Sequence, residues 1–122
     1  MGTDFTLEER TAVFGENVLK TLKTISIDTF TRPLISQLIR SATSVGANYC
    51  KANGASSKKD FRNKIHICKK EVQETKHWIR MLSAIIDDSV KKENLRILWQ
   101  EAQELTLIFG KITGTMSNKK SK

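Results

Sequence analysis

Hydrophobic residues recur along this chain at alternating steps of three and four, a spacing that keeps one stripe on one side of an α-helix. The clearest stripe comprises Phe61, Ile65, Cys68, Val72, Thr75, Ile79, Leu82 and Ile86. A second one precedes it, with Ile35, Leu38, Ile39, Ala42, Val45, Gly46 and Tyr49. The Gly/Ser segment 53–57 separates the two. Together they predict an αα-hairpin.

The flanking stretches carry stripes of their own, which provide the partners that one hairpin needs. The first comprises Leu7, Phe14, Val18, Leu22 and Ile25, and the last comprises Leu95, Leu98, Trp99, Ala102, Leu105, Phe109 and Ile112. Thr6, Thr31 and Ser57 are predicted N-caps, and Gly54 is a predicted helix stop.

We therefore predict helices over about 6–26, 32–53, 58–87 and 90–113, and a disordered basic tail at 115–122. The chain shows no strand alternation and no sign of a second domain. Short links favour an all-α, antiparallel up-down-up-down four-helix bundle, with 1–122 as a single domain.

The last two predicted helices have apolar residues on a second side as well. The third-helix strip comprises Ile67, Glu71, Glu74, Trp78, Met81 and Ile85, and the fourth-helix strip comprises Ile97, Glu101, Glu104 and Ile108. Such strips are covered either by additional core or by another subunit. In a chain this small we expect a homo-oligomer, with Trp78, Met81, Ile97 and Ile108 at the interface.

Composition narrows the class of protein further. The formal net charge is +8, which suits nucleic acid, an acidic protein or an anionic surface as a partner. No apolar run is long enough for a membrane span, and the N-terminus does not have the pattern of a secretory signal. We expect a cytoplasmic protein without membrane contact. Cys50 and Cys68 lie on or beside apolar stripes, so we expect buried free thiols.

The residues offer no set that would support catalysis or a cofactor. Glu74-x-x-His77 resembles half of a di-iron site, but such a site needs the same unit on a second helix, and His66 has no partner at that spacing. Phosphate-loop, nucleophile-elbow and zinc-protease motifs are absent from the sequence. We expect no enzyme activity, no metal and no cofactor.

Two polar clusters remain as candidate sites. Gln37, Arg40, Ser44 and Asn48 follow one another at steps of three and four beside the apolar stripe, and Arg40 is placed to pair with Glu71 or Glu74 across the hairpin. A basic run around the second turn supplies the candidate nucleic-acid-binding residues Lys51, Lys58, Lys59, Arg62, Lys69 and Lys70. The alternative for both clusters is an ordinary solvated helix face.

These residues resemble the pattern of the 23S rRNA intervening-sequence, or S23, family of proteins. The match comprises Gln37-Leu38, Arg40, Ala42, Ser44-Val45, Asn48-Tyr49, Ala52, Ser57, Asp60-Phe61, Glu71, Glu74-Thr75 and Trp78-Ile79. The chain departs from the pattern at Lys51, where the family usually has Glu. This substitution makes the turn more basic and removes whatever role that carboxylate has elsewhere.

The resemblance implies an antiparallel four-helix bundle that assembles as a homopentamer and has no established enzyme activity. Some bacterial members are encoded within 23S rRNA genes. Related accessory variability determinant proteins act beside reverse transcriptases and bind nucleic acid. We therefore expect binding of RNA or DNA through the basic surface. The alternative is a protein-interaction scaffold, for example an accessory subunit of a reverse transcriptase.

Overall fold

The computed structural model describes residues 6–121, and the side chains up to residue 115. It contains four helices: α1 (Leu7–Leu22), α2 (Thr31–Asn53), α3 (Lys58–Ala84) and α4 (Ser89–Ser121). The described residues contain no strand. The fold class is the predicted all-α, four-helix bundle.

The starts of α1 and α3 follow the predicted capping. The Thr6 hydroxyl accepts a hydrogen bond from the Glu9 backbone N–H at 3.1 Å. The Ser57 hydroxyl accepts one from the Asp60 N–H at 3.0 Å. In return, the Asp60 carboxylate accepts from the Ser56 N–H at 3.2 Å, a variant of the capping box that reaches one residue further back.

The start of α2 corrects the predicted cap at Thr31. The Asp28 carboxylate, rather than the Thr31 hydroxyl, accepts from the first backbone N–H groups, those of Phe30 and Thr31, both at 2.8 Å. The Thr31 hydroxyl instead donates to the Ser26 carbonyl at 2.7 Å. Thr31 is itself the first helical residue, so its side chain is used to close the loop behind it.

Helices α2 and α3 run antiparallel, as two pairs of residues along their interface show. Between α2 and α3, Ser41 bonds to Thr75, while further along α2 the Val45 carbonyl faces Cys68, which is earlier in α3. Helices α1 and α2 approach closely at Gly46, where an added Cβ would lie 3.5 Å from the Thr11 carbonyl oxygen. Each helix packs against two neighbours, and α1 and α4 close the bundle.

The core contains most of the predicted stripe residues. Phe14, Leu38, Ile65, Val72 and Phe109 are almost completely buried. Ile39, predicted on the inner face of α2, is partly exposed instead, because it lies at the edge of the stripe next to the fully buried Leu38.

Most helix ends differ from the prediction by a few residues, and the end of α4 differs by more. Helix α1 ends at Leu22 and α3 at Ala84, so both turns are longer than expected. Helix α4 continues to Ser121, through the stretch where the sequence predicted an end near 113 and a disordered tail. A single glycine such as Gly114 costs a helix only about 1 kcal/mol and does not end it in the absence of proline. Lys122 lies outside the described residues.

Candidate nucleic-acid interface

The α2–α3 turn brings four of the predicted nucleic-acid-binding residues to one end of the bundle. Lys51 is in the last turn of α2, Lys58 and Lys59 begin α3, and Arg62 follows one turn later. We call these four residues the basic end. All three lysines are exposed, and Arg62 is half-buried. Among the described residues, none forms an ion pair with any of the three lysines.

The nearby acid, Asp60, is already engaged within its own helix. Its carboxylate accepts from the Ser56 backbone N–H and from the Lys64 ammonium, the latter at 3.2 Å. These two contacts, the Ser56 bond first, lower the pKa of Asp60 below its usual range. Asp60 therefore remains ionised and bound to Lys64, so it does not pair with the lysines of the basic end.

The other two predicted contact residues, Lys69 and Lys70, do not join the basic end. They lie about 17 Å further along α3, at 1.5 Å per residue from Lys58. Lys69 is half-buried against α4, where its ammonium would lie 3.7 Å from a Cβ placed on Gly110. Lys70 is exposed, and its charge helps to lower the pKa of Glu74. The predicted set of six thus divides between the basic end and the middle of α3.

The predicted polar cluster assembles across α2 and α3. The Arg40 guanidinium donates to the Glu71 carboxylate at 3.2 Å and to the Glu74 carboxylate, and also to the Gln37 side chain at 3.3 Å. The Asn48 side chain donates to the Ser44 carbonyl at 2.9 Å. Arg40 is thus held by carboxylates of the neighbouring helix.

Glu74 also links this cluster to the third-helix strip. The Trp78 indole N–H donates to the Glu74 carboxylate at 3.0 Å. The hydrogen bond from Trp78, followed by the one from Arg40, lowers the pKa of Glu74. The indole ring is therefore fixed at the edge of the contact between α2 and α3.

A second arginine–glutamate cluster, which was not predicted from the sequence, joins α1 to α4. The Arg10 guanidinium makes a bidentate contact with Glu101 at 2.7 and 2.9 Å, and contacts Glu104 at 2.9 Å. These carboxylates, with Glu101 first, raise the pKa of Arg10. Arg10 has no acid at i±3 or i±4 within its own helix. Its pairing was therefore detectable only by matching it to an E-x-x-E unit elsewhere in the chain.

The two strips consequently lie on opposite sides of the bundle. The third-helix strip borders the contact between α2 and α3 through Glu71 and Glu74. The fourth-helix strip borders the contact between α1 and α4 through Glu101 and Glu104. The predicted interface residues are unevenly covered: Trp78, Met81 and Ile108 are half-buried, whereas Ile97 is 52% exposed. Each side therefore presents apolar surface beside an ion cluster.

The two cysteines differ in environment, which corrects the expectation that both are buried. Cys68 is buried, and its thiol faces the Val45 carbonyl at 3.6 Å. Burial raises the pKa of Cys68 to about 12. Cys50 is exposed because it lies one position beyond the inward stripe of α2. Neither thiol forms a disulfide.

A groove between α3 and α4 is a second feature that was not predicted from the sequence. It has a volume of about 630 Å³, lies near the α3–α4 turn, and has Trp99 in its wall. Periodicity had assigned Trp99 to the core, but the residue is only half-buried. Side chains from two helices form this groove, so no local motif marks it.

The fold and these surfaces define an all-helical bundle with a basic end and partly apolar sides. Within the part of the chain that the structure describes, no helix is long and apolar enough to cross a membrane. Residues 4–111 match the 23S rRNA-intervening sequence protein family. The chain belongs to that family.

A solved structure has the same fold. It is a protein of unknown function from the S23 ribosomal protein family of Bacteroides thetaiotaomicron, with 24% sequence identity and a TM-score of 0.73. The similarity covers 88% of this chain and 98% of the other. No curated protein matches the chain.

Proposed function

We propose that this chain is a non-enzymatic, oligomeric, cytoplasmic protein that binds RNA or DNA through the phosphates. The observation that supports this function best is the basic end, where Lys51, Lys58, Lys59 and Arg62 surround one turn. Lysines and arginines at such a surface release counterions from nucleic acid on contact, which favours binding without sequence preference.

The N-terminus of α3 adds to the positive potential at this end. Its helix dipole and its first backbone N–H groups favour negative charge. The binding should weaken steeply as salt is raised, since the contribution of each phosphate contact depends on counterion release. It should vary little with base sequence, because phosphates are the groups contacted.

Charge reversal at the basic end tests this function. Lys58→Glu, Lys59→Glu and Arg62→Glu together should abolish binding to a random-sequence duplex, measured by fluorescence anisotropy at about 50 mM salt. The matched control reverses three exposed cations elsewhere, Lys20, Lys23 and Arg32, so that the net charge changes equally. An equal loss in both variants would mean that the net charge, rather than the basic end, drives binding. Unchanged affinity in the first variant would move the surface elsewhere.

The proposed oligomer rests on the two partly apolar sides. A ring is built from heterologous contacts, in which one side of a subunit meets a different side of the next. The third-helix and fourth-helix strips lie on opposite sides of the bundle, which suits such a contact. Five subunits is the number that the family resemblance suggests. A ring would repeat the basic end around its axis and increase affinity by multivalency.

A charged residue in the third-helix strip tests the assembly. Trp78→Glu should lower the mass measured by light scattering, because it places a carboxylate in the interface. Phe30→Glu is the matched control, since Phe30 is an exposed aromatic residue outside both strips. A parent protein that is monomeric at micromolar concentration would contradict the proposal.

A protein-interaction scaffold is the second candidate function, and exposed apolar residues favour it. Phe30 is 73% exposed and Val90 68% exposed, and both lie near the turns at the end opposite the basic end. These apolar side chains cannot bind phosphates, whereas they can pack against another protein. Two results together would support the scaffold function in place of nucleic-acid binding. The parent protein would not bind nucleic acid at about 50 mM salt. It would bind a reverse transcriptase encoded nearby, and this binding would require Phe30.

A further inference from the structure

The groove between α3 and α4 combines an aromatic wall with an apolar floor. Ile79 and Leu95 form the floor and are only 1% and 0% exposed, so they offer a ligand almost no surface. Trp99 is half-buried and contributes the accessible apolar wall. A flat indole beside a closed floor suits a planar ligand better than a branched aliphatic side chain, which would need a deeper pocket.

The indole is held in place from the side of α3. The Lys76 ammonium lies over the Trp99 ring, 5.4 Å from its centroid. The same ammonium donates to the Gln103 side chain at 2.6 Å, which anchors it between the two helices. This cation–π contact restrains the ring and adds positive potential beside the groove.

The rim of the groove carries uncompensated positive charge. Arg80 and Lys92 line it from opposite helices, and both are exposed. Among the described residues, none forms a hydrogen bond or an ion pair with either side chain. The acid that lines the groove, Glu93, is held by Arg96 through two hydrogen bonds of 2.9 and 2.7 Å. The charge of Glu93 is thus matched by Arg96, which leaves the other two cations available.

We propose that this groove binds a nucleotide unit of single-stranded nucleic acid, with a base stacked on Trp99 and the adjoining phosphates on Arg80 and Lys92. A volume of about 630 Å³ lies within the usual size of ligand pockets. Aromatic platforms flanked by cations are the general means of binding single strands. This inference rests on the proposed function, because both require the protein to bind nucleic acid. It adds the stacking of an unpaired base on Trp99, a contact that duplex DNA cannot make.

The groove and the basic end are separate surfaces. They are roughly 33 Å apart along α3, counting from Lys58 to Arg80 at 1.5 Å per residue. Variants of one surface can therefore be made without altering the other, and the two contacts can be tested independently.

Trp99 fluorescence and matched ligands test the groove. A single-stranded thymidine oligonucleotide of about ten residues should quench the parent protein, and this quenching should disappear in Trp99→Leu. Trp99→Leu should weaken single-strand binding about tenfold and leave duplex binding unchanged. An abasic oligomer with the same number of phosphates should not quench. Far-ultraviolet dichroism establishes that Trp99→Leu is folded.

The double variant Arg80→Gln, Lys92→Gln provides a second test at exposed positions, where folding is not at risk. It should weaken single-strand binding and reduce its salt dependence, since two phosphate contacts are removed. Equal quenching by the abasic oligomer or by polyglutamate would overturn the inference, because the groove would then recognise charge alone.

The outcomes separate this inference from the proposed function. If reversal of the basic end abolishes all binding while Trp99→Leu changes nothing, the proposed function stands and the groove site is refuted. If single strands quench Trp99 and the basic-end reversal has no effect, the groove stands and the proposed phosphate surface is refuted. A parent protein that binds neither duplex nor single strand would overturn both.

Discussion

Two leucines near the middle of α4 provide a direct test of how this helix is oriented in the bundle. Leu105 is 0% exposed and Leu107 is 62% exposed, although they are two positions apart and of the same type. We consider the same substitution, to alanine, at each. The change in intrinsic helix propensity is identical for the two variants, so their difference reports burial.

The expected magnitudes follow from the environments of the two side chains. Leu105→Ala removes three buried carbons, worth about 2.4 kcal/mol at 0.8 kcal/mol each. The cavity left behind raises the expected loss of unfolding free energy to about 3–4 kcal/mol. Leu107 keeps most of its surface in water, so Leu107→Ala should cost less than about 1 kcal/mol.

Urea unfolding followed by far-ultraviolet dichroism, at one protein concentration for all variants, measures both losses. With a slope near 2 kcal/mol per molar urea, Leu105→Ala should lower the midpoint by roughly 1.5–2 M. Leu107→Ala should leave the midpoint within about 0.5 M of the parent value. Equal losses would refute the assigned burial. A reversed order would mean that α4 is rotated about its axis by roughly 200°, the angle that two residues span.

Three further predictions test individual contacts. Glu74→Gln should reduce the free energy of unfolding at pH 7 but not in acid, because folding lowers the pKa of Glu74. The ionised Glu74 therefore stabilises the fold above its unfolded pKa of about 4.3, and this stabilisation is lost as the pH falls through the folded pKa. Melting curves of both proteins against pH should converge on acidification. Asp28→Ala should lower the melting temperature, because Asp28 bonds to two backbone N–H groups, whereas Asp87→Ala, at an exposed turn position, should change it little. Iodoacetamide at pH 8 should modify Cys50 in the native protein and Cys68 only in denaturant, as mass spectrometry would show, since burial raises the pKa of Cys68 to about 12. Modification of both thiols in the native state would contradict the buried position of Cys68.

Local pattern sufficed for the helices and for most of the core. Steps of three and four placed Ile65, Val72 and Leu82 on one side of α3, and all three are buried in the structure. The caps at Thr6 and Ser57 were also predictable, because a cap and the N–H that it accepts are three residues apart. Periodicity and capping depend on neighbours within about one turn, and a sequence displays such neighbours directly.

The sequence also suggested one contact between helices, the pairing of Arg40 with Glu71 or Glu74. That prediction was possible because α2 and α3 form a hairpin with a short turn, so the partner helix was known. Arg10 gave no such indication: its partners, Glu101 and Glu104, lie at the far end of the chain and meet it only because α1 and α4 close the bundle.

Only the tertiary structure decided which residues of different helices come together and which remain exposed. It put the third-helix and fourth-helix strips on opposite sides, separated Lys69 from the basic end, and left Cys50 in solvent. It also opened the groove in which Trp99 and Arg80 face one ligand-sized space. Periodicity fixes the direction in which a residue leaves its own helix. The neighbour that it meets depends on how all four helices pack, and that arrangement is set by the core as a whole.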